Sequence, residues 1–152
     1  MRKQRTKMNA SEYAVYLLSR RDHGVAELQQ KMQLKEYAPQ EIAAAMEKCQ
    51  EYGYLDDKRF ARSQVRQHIN KCHGERRIRQ ELNLKKVSVD DIDAALEEEN
   101  TDWFALARRA AEKKFSVFDI KDRKLYQKQV RYLQYRGFDF EQIKYALTPS
   151  ED

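Results

Sequence analysis

The chain has 152 residues, 36% of them charged and 41% hydrophobic, with a formal net charge of +5 and a mean hydropathy of -0.98. That length suits one ordinary domain, but so little apolar material argues against one deep core and predicts a thin, elongated one. With 4 Gly and 2 Pro, hairpin turns and Gly-rich phosphate loops are scarce, and abundant Ala, Leu, Glu, Lys, Arg and Gln predict an all-α protein.

Residues 1–10, MRKQRTKMNA, are basic without apolar periodicity and are expected to form a mobile tail. Helix is expected from about Ser11, where Tyr13, Ala14, Leu17 and Leu18 fall at helical spacing. Asp22-His23-Gly24 interrupts it, and Val25, Leu28 and Met32 open a second helix. Pro39 suits the first position of a third helix, carrying Ile42, Ala45 and Met46 and stopped by Gly53. Tyr54-Leu55-Asp56-Asp57 begins the next unit: the carboxylates suit helix capping, and Tyr54 and Leu55 are expected to pack between units. The helix that follows carries Phe60, Ala61, Val65 and Ile69. After His73-Gly74 come Ile78 and Leu82, and Ser88-Val89-Asp90-Asp91 introduces another helix with a pattern like a capping box. Thr101-Asp102 precedes Trp103, Phe104, Leu106 and Ala107. An insertion around Ser116-Val117-Phe118 delays the next helix, and Asp139-Phe140-Glu141-Gln142 caps the last. Residues 149–152 are expected to fray.

Three copies of one pattern emerge. The apolar slots Met32, Leu82 and Leu133, then Ile42, Ile92 and Ile143, then Met46, Leu96 and Leu147, recur at intervals of fifty or fifty-one residues. The prediction is three tandem three-helix repeats, 11–53, 54–100 and 101–148, in an elongated, curved array whose units cannot bury their apolar faces alone. Cys49 and Cys72 lack CxxC spacing, and no signal-peptide core or eighteen-residue apolar run is present, which predicts a soluble cytoplasmic protein with no membrane association.

Charge is segregated. Bases outnumber acids 10 to 2 over residues 58–86 and 10 to 3 over 103–136, whereas 90–102 carries seven acids and no base. This points to a polyanionic partner or one with acidic patches. Arg59, Arg62 and Arg66 form one stripe on the helical wheel. Arg76, Arg79, Asn83 and Lys86 form a second, and Lys124, Lys128, Arg131 and Tyr135 a third, opposite Tyr126, Val130 and Leu133. Arg77, Arg108 and Arg109 join them as candidate contacts. The Arg content favours planar pairing with phosphates or carboxylates, against the plainer reading of solvated helix faces.

No catalytic constellation emerges. GxGxxG, GxxxxGK, GxSxG and HExxH are missing, and Asp56-Asp57 and Asp90-Asp91 sit where N-caps are wanted. His68 and Cys72, four apart, offer half of a metal site without a second pair, so a packed histidine is the better reading. His23 and His73 occupy equivalent turns, which suits a structural role. The expectation is a protein that is not an enzyme and needs no cofactor or metal.

Tyr54-Leu55-Asp56-Asp57 with Arg59-Phe60-Ala61, then Gly74 with Arg77-Ile78 and Glu81-Leu82, then Tyr132-Leu133 with Arg136-Gly137-Phe138, in this order and over residues 11–147, resemble the RecX family of bacterial RecA modulators. Lys86 departs from it, since relatives commonly place Gly there. The resemblance implies a non-enzymatic, monomeric regulator that binds the RecA–single-stranded DNA filament and inhibits its ATPase, strand exchange and coprotease activities. The basic stripes would be its contact surface, with weak, sequence-independent binding to single-stranded DNA. A helical module acting directly on DNA and a scaffold kept soluble by its charges stay open as alternatives.

Overall fold

The computed structural model describes residues 7–149; within them the chain forms nine helices and no strand. Repeat 1 contains α1 (Ala10–Arg20), α2 (Val25–Leu34) and α3 (Pro39–Glu51). Repeat 2 contains α4 (Asp57–Asn70), α5 (Glu75–Leu84) and α6 (Val89–Glu99). Repeat 3 contains α7 (Trp103–Lys114), α8 (Arg123–Tyr135) and α9 (Phe140–Leu147). In each repeat the first and third helices make the most extensive pairing, and the second packs less extensively against both. Residues 1–6 of the expected tail and 150–152 of the expected fray lie outside the described residues. Within them, Asn9 Oδ1 accepts the Glu12 N–H at 2.8 Å and the Met8 carbonyl accepts the Tyr37 hydroxyl at 2.6 Å. The chain is therefore tied down before Ser11, because Asn9 is a competent N-cap.

The second helix of every repeat ends in the same way. Glu36, Lys86 and Gly137 are left-handed, with φ of 65°, 59° and 103°. The next residue donates back across the turn: Tyr37 N–H to Met32 C=O at 3.4 Å, Val87 to Leu82 at 3.1 Å and Phe138 to Leu133 at 3.1 Å. These are Schellman closures. The slot Met32, Leu82, Leu133 therefore supplies both a core side chain and the carbonyl that stops the helix.

The predicted single thin core is instead three. Each repeat closes its own cluster, around Leu28, Met32 and Ile42, around Phe60, Ile78 and Leu82, and around Leu133, Phe138 and Ile143. Small residues allow this: Ala14, Ala45, Ala61, Ala95, Ala107 and Ala111 are buried, which lets paired helices approach closely enough to seal a cluster. Ile69 and Trp103 touch the second and third clusters together. Two expectations need correcting. Leu55 does not pack between units but completes the first core, while Tyr54 stays half exposed. Met46 is partly buried at the edge of its cluster, whereas the eight other slot residues are buried.

The repeats are joined by helix ends. The N-caps of α2 and α5 are Gly24 and Gly74, which have no side chain to offer. Asp57 Oδ1, from repeat 2, accepts the Val25 N–H at 2.8 Å. At the second junction Gly74 N–H donates to Arg136 C=O at 2.7 Å and Arg76 N–H to Gly137 C=O at 3.2 Å. Each of these helices is thus capped by the repeat that follows. Helix α8, which no further unit covers in the described residues, uses its own Asp122, whose Oδ1 accepts the Leu125 N–H at 3.2 Å.

Candidate partner-binding surface

Packing decides which of the predicted cations are available. On α4, Arg59 is spent at the first junction: its Nε lies 3.2 Å from Asp22 Oδ1, and its Nη groups donate to the carbonyls of Gly53 at 2.9 Å and Tyr54 at 3.1 Å. Because α4 packs on α6, the rest of that stripe meets the acidic run. Arg66 pairs with Glu99, and Arg62 lies 4.0 Å from Glu98. In the second stripe, Arg79 pairs with Asp93 at 2.7 Å and Glu75 at 3.7 Å. Arg76 and Lys86 are exposed, and Arg77 is half-buried with its guanidinium 5.3 Å from the Tyr135 ring.

Repeat 3 behaves differently. Arg108 stacks on Tyr145 at 4.1 Å and donates to the carbonyls of Tyr145 at 2.9 Å and Thr148 at 3.1 Å, so it closes the end of α9. Arg109, Lys124, Lys128, Arg131 and Tyr135 are all exposed. Among the described residues every ion pair lies between Arg21 and Glu99, and none lies in repeat 3. Residues 10–53 carry a net charge of -2, 54–100 of 0 and 101–149 of +5. The basic character of 58–86 is therefore offset within its own repeat by the acidic run, which pairs part of it, and the largest net charge belongs to repeat 3.

The basic face of α8 borders a shallow groove of about 330 Å³ lined by Tyr126, Gln127, Val130, Arg131 and Phe140. Phe140 is 58% exposed. It escaped notice in the sequence because it follows the Asp139 cap and reads as a packing residue. Repeat 1 carries a second groove, of about 460 Å³, lined in part by Val15, Tyr16, Cys49, Tyr52 and Tyr54. Its one sequence signal is the aromatic pair flanking Gly53.

His23 and His73 are buried, and the Nδ1 atoms of His68 and His73 lie 2.7 Å apart. Burial, reinforced by Arg77 and Arg136, pushes the His73 pKa down to about 4, and burial also lowers His68 and His23. Among the described residues no group of three or more His, Cys, Asp or Glu side chains is arranged to hold a metal ion. Asp56 caps α4, Ser88 caps α6 and Asp102 caps α7.

Three family models match in tandem: the first RecX three-helix domain over residues 10–49, the second over 56–96 and the third over 100–147. The chain belongs to the RecX family. It is 58% identical over 141 residues to the regulatory protein RecX of Vibrio vulnificus (strain CMCP6), covering 93% of this chain and 92% of that one. It is 51% identical over 138 residues to its namesake in Vibrio cholerae (strain ATCC 39541 / Classical Ogawa 395 / O395), covering 91% of each. Among solved structures, a crystal structure of regulatory protein RecX superposes with a TM-score of 0.76 at 24% identity, over 91% of this chain and 70% of the other. RecX from Lactobacillus salivarius gives 0.72 at 22%, over 90% and 91%, and both share the fold. Lys86 keeps its left-handed turn, with φ of 59°, without being glycine, at a cost of about 1 kcal/mol. No helix in the described residues is long and apolar enough to cross a membrane.

Proposed function

We propose that this RecX-family chain binds the RecA–single-stranded DNA filament and inhibits RecA's ATPase, strand exchange and coprotease activities. It acts by binding, as a cytoplasmic monomer without cofactor, and not by catalysis. The observation that carries this reading is the basic face of repeat 3, which among the described residues has no ion pair and belongs to a segment of net charge +5, set beside two repeats whose net charges are -2 and 0. A polyanionic filament attracts such a face over several ångströms, which speeds and orients docking. Self-contained cores joined by capped helix ends let three rigid units follow a filament and touch more than one subunit.

Within this reading the contacts are Lys124, Lys128, Arg131, Tyr135 and Arg109, with Arg76, Arg77 and Lys86. Arg59 and Arg108 are engaged by backbone carbonyls, and Arg62, Arg66 and Arg79 by surface carboxylates. The test is RecA ATPase on single-stranded DNA, titrated with this protein: the rate should fall, and charge reversal on α8 should restore it. Unchanged ATPase at saturating protein would sink the reading.

The exposed Phe140 beside Arg131 favours one alternative, a helical module that binds DNA directly by stacking and backbone contacts. Salt-titrated binding to naked DNA separates the two. Tight, sequence-selective binding without RecA would favour the module; weak, sequence-blind binding with tight filament binding favours the modulator.

A further inference from the structure

The two junctions are built on one plan, with the charge of the central residue reversed. In the first, Glu27, the third residue of α2, lies 3.0 Å from Arg21, the C-cap of α1, and 3.8 Å from Lys85, the C-cap of α5 in the next repeat. One carboxylate holds two cations from two repeats. Moving each position one repeat onward gives Lys71, the C-cap of α4; Arg77, the third residue of α5; and Arg136, the C-cap of α8. The three helix ends again meet. Arg136 donates through Nη2 to the Lys71 carbonyl, and a Cβ on Gly137 would stand 2.5 Å from Arg77 Cβ. The central acid has become a third cation.

We propose that the junction of repeats 2 and 3 is a phosphate-binding site, in which an external oxyanion takes the place between Lys71, Arg77 and Arg136 that Glu27 holds in the first junction. Among the described residues, no ion pair joins a carboxylate to any of the three. Glu81, the acid felt by neighbouring His68, leaves them unpaired. Arg136 Nε is buried with no hydrogen-bond partner, whereas Arg59 and Arg66, at other sites, direct their Nε atoms to carboxylates. Arg77 and Arg136 face the rings of Tyr135 and Tyr132 at 5.3 and 5.8 Å, which holds both planar forks in place for an oxyanion. The cluster is also felt by His73, whose protonation it opposes. Because the cations come from both repeats, a bound phosphate fixes the angle between them. This deepens the proposed function by naming where the backbone phosphate of a single-stranded nucleic acid is held.

The test uses the full chain without RecA, so its result does not depend on whether RecA is inhibited. Anisotropy of a fluorescein-labelled oligothymidylate reads nucleic-acid binding, and thermal unfolding with inorganic phosphate or pyrophosphate reads the free anion. Arg77→Glu rebuilds the first junction's charge pattern. It should raise the unfolding temperature without ligand while weakening the oligonucleotide on the order of tenfold and lowering the salt slope. Lys71→Glu, at an exposed position, should weaken it in the same direction, and Arg66→Glu should leave it unchanged. Protection by pyrophosphate that Arg77→Glu abolishes, with the oligonucleotide unaffected, would assign the site to small phosphates. Wild-type binding of both probes by Arg77→Glu and Lys71→Glu would overturn the proposal.

Discussion

Asp57 Oδ1 accepts the backbone N–H of Val25 at 2.8 Å, so a side chain of repeat 2 caps a helix of repeat 1. The adjacent Asp56 caps its own helix, accepting the N–H of Lys58 at 2.9 Å. Two neighbouring carboxylates therefore serve two different repeats, and Asp57 is the one that links them. Burial raises its pKa against the opposing effect of the Val25 hydrogen bond, so its ionised form is held at some expense to stability. Asp57→Ala should lower stability by about 1 kcal/mol, a fall of roughly 3 °C in unfolding temperature for a chain of this size. Asp57→Asn keeps the accepting oxygen without the buried charge, and should unfold at or above the wild-type temperature near pH 7. Thermal unfolding of both variants by circular dichroism checks this.

Gly74 is required by contact and Gly53 by conformation, and the two should respond differently to alanine. A Cβ on Gly74 would stand 2.4 Å from the carbonyl atoms of Gly137, whereas at Gly53 it would meet nothing within 4 Å, although φ there is +73°. Gly53→Ala should cost about 1 kcal/mol from left-handed strain. Gly74→Ala must push repeat 3 away, at about 2 kcal/mol or more, and should expose the amides of Gly74 and Arg76. Hydrogen exchange at those two amides distinguishes parted repeats from uniform destabilisation.

His73 makes the second junction acid-sensitive. Its pKa falls from an ordinary 6.5 to about 4 in the folded chain, so between those values the unfolded chain takes up a proton that the folded chain refuses. Stability from this residue is complete above pH 6.5 and is lost as pH falls toward 4. Urea midpoints measured from pH 7.5 to 4.5 should fall through that window, and His73→Gln should flatten the slope. An unchanged slope in the variant would remove His73 from this role.

Most of the architecture could be read because the repeat constrains the same slots three times. Met32, Leu82 and Leu133 could be aligned by eye, and the Asp139–Gln142 capping box is present in full. Pairing across helices could not be read. Arg62 and Arg66 of α4 looked like part of a free stripe because their partners, Glu98 and Glu99, lie more than thirty residues on and reach them only when α6 packs against α4. The Schellman turn at Glu36 was hidden as well, since a non-glycine residue gives no local sign of positive φ. Gln129 is buried and donates to the Val117 carbonyl at 2.8 Å, anchoring the 115–122 connection; a polar residue on an amphipathic helix gave no warning of that.

The same pairing yields the sharpest functional prediction. Reversing Arg62 and Arg66 alters charges already matched by Glu98 and Glu99, and exposed pairs of this kind contribute about 0–1 kcal/mol. Such a double variant should fold and inhibit RecA ATPase nearly as the wild type does. Reversing Lys124, Lys128 and Arg131 moves the net charge of residues 101–149 from +5 to about -1, since each reversal removes two units of charge, and the long-range attraction to a polyanion disappears with it. Inhibition should fall by at least about tenfold, with association slowed more than dissociation and the ionic-strength dependence flattened. Stopped-flow binding to RecA–DNA filaments at two salt concentrations provides the measurement. If the α4 reversal abolishes inhibition while the α8 reversal leaves it intact, the contact face lies on repeat 2 and folding has not neutralised it.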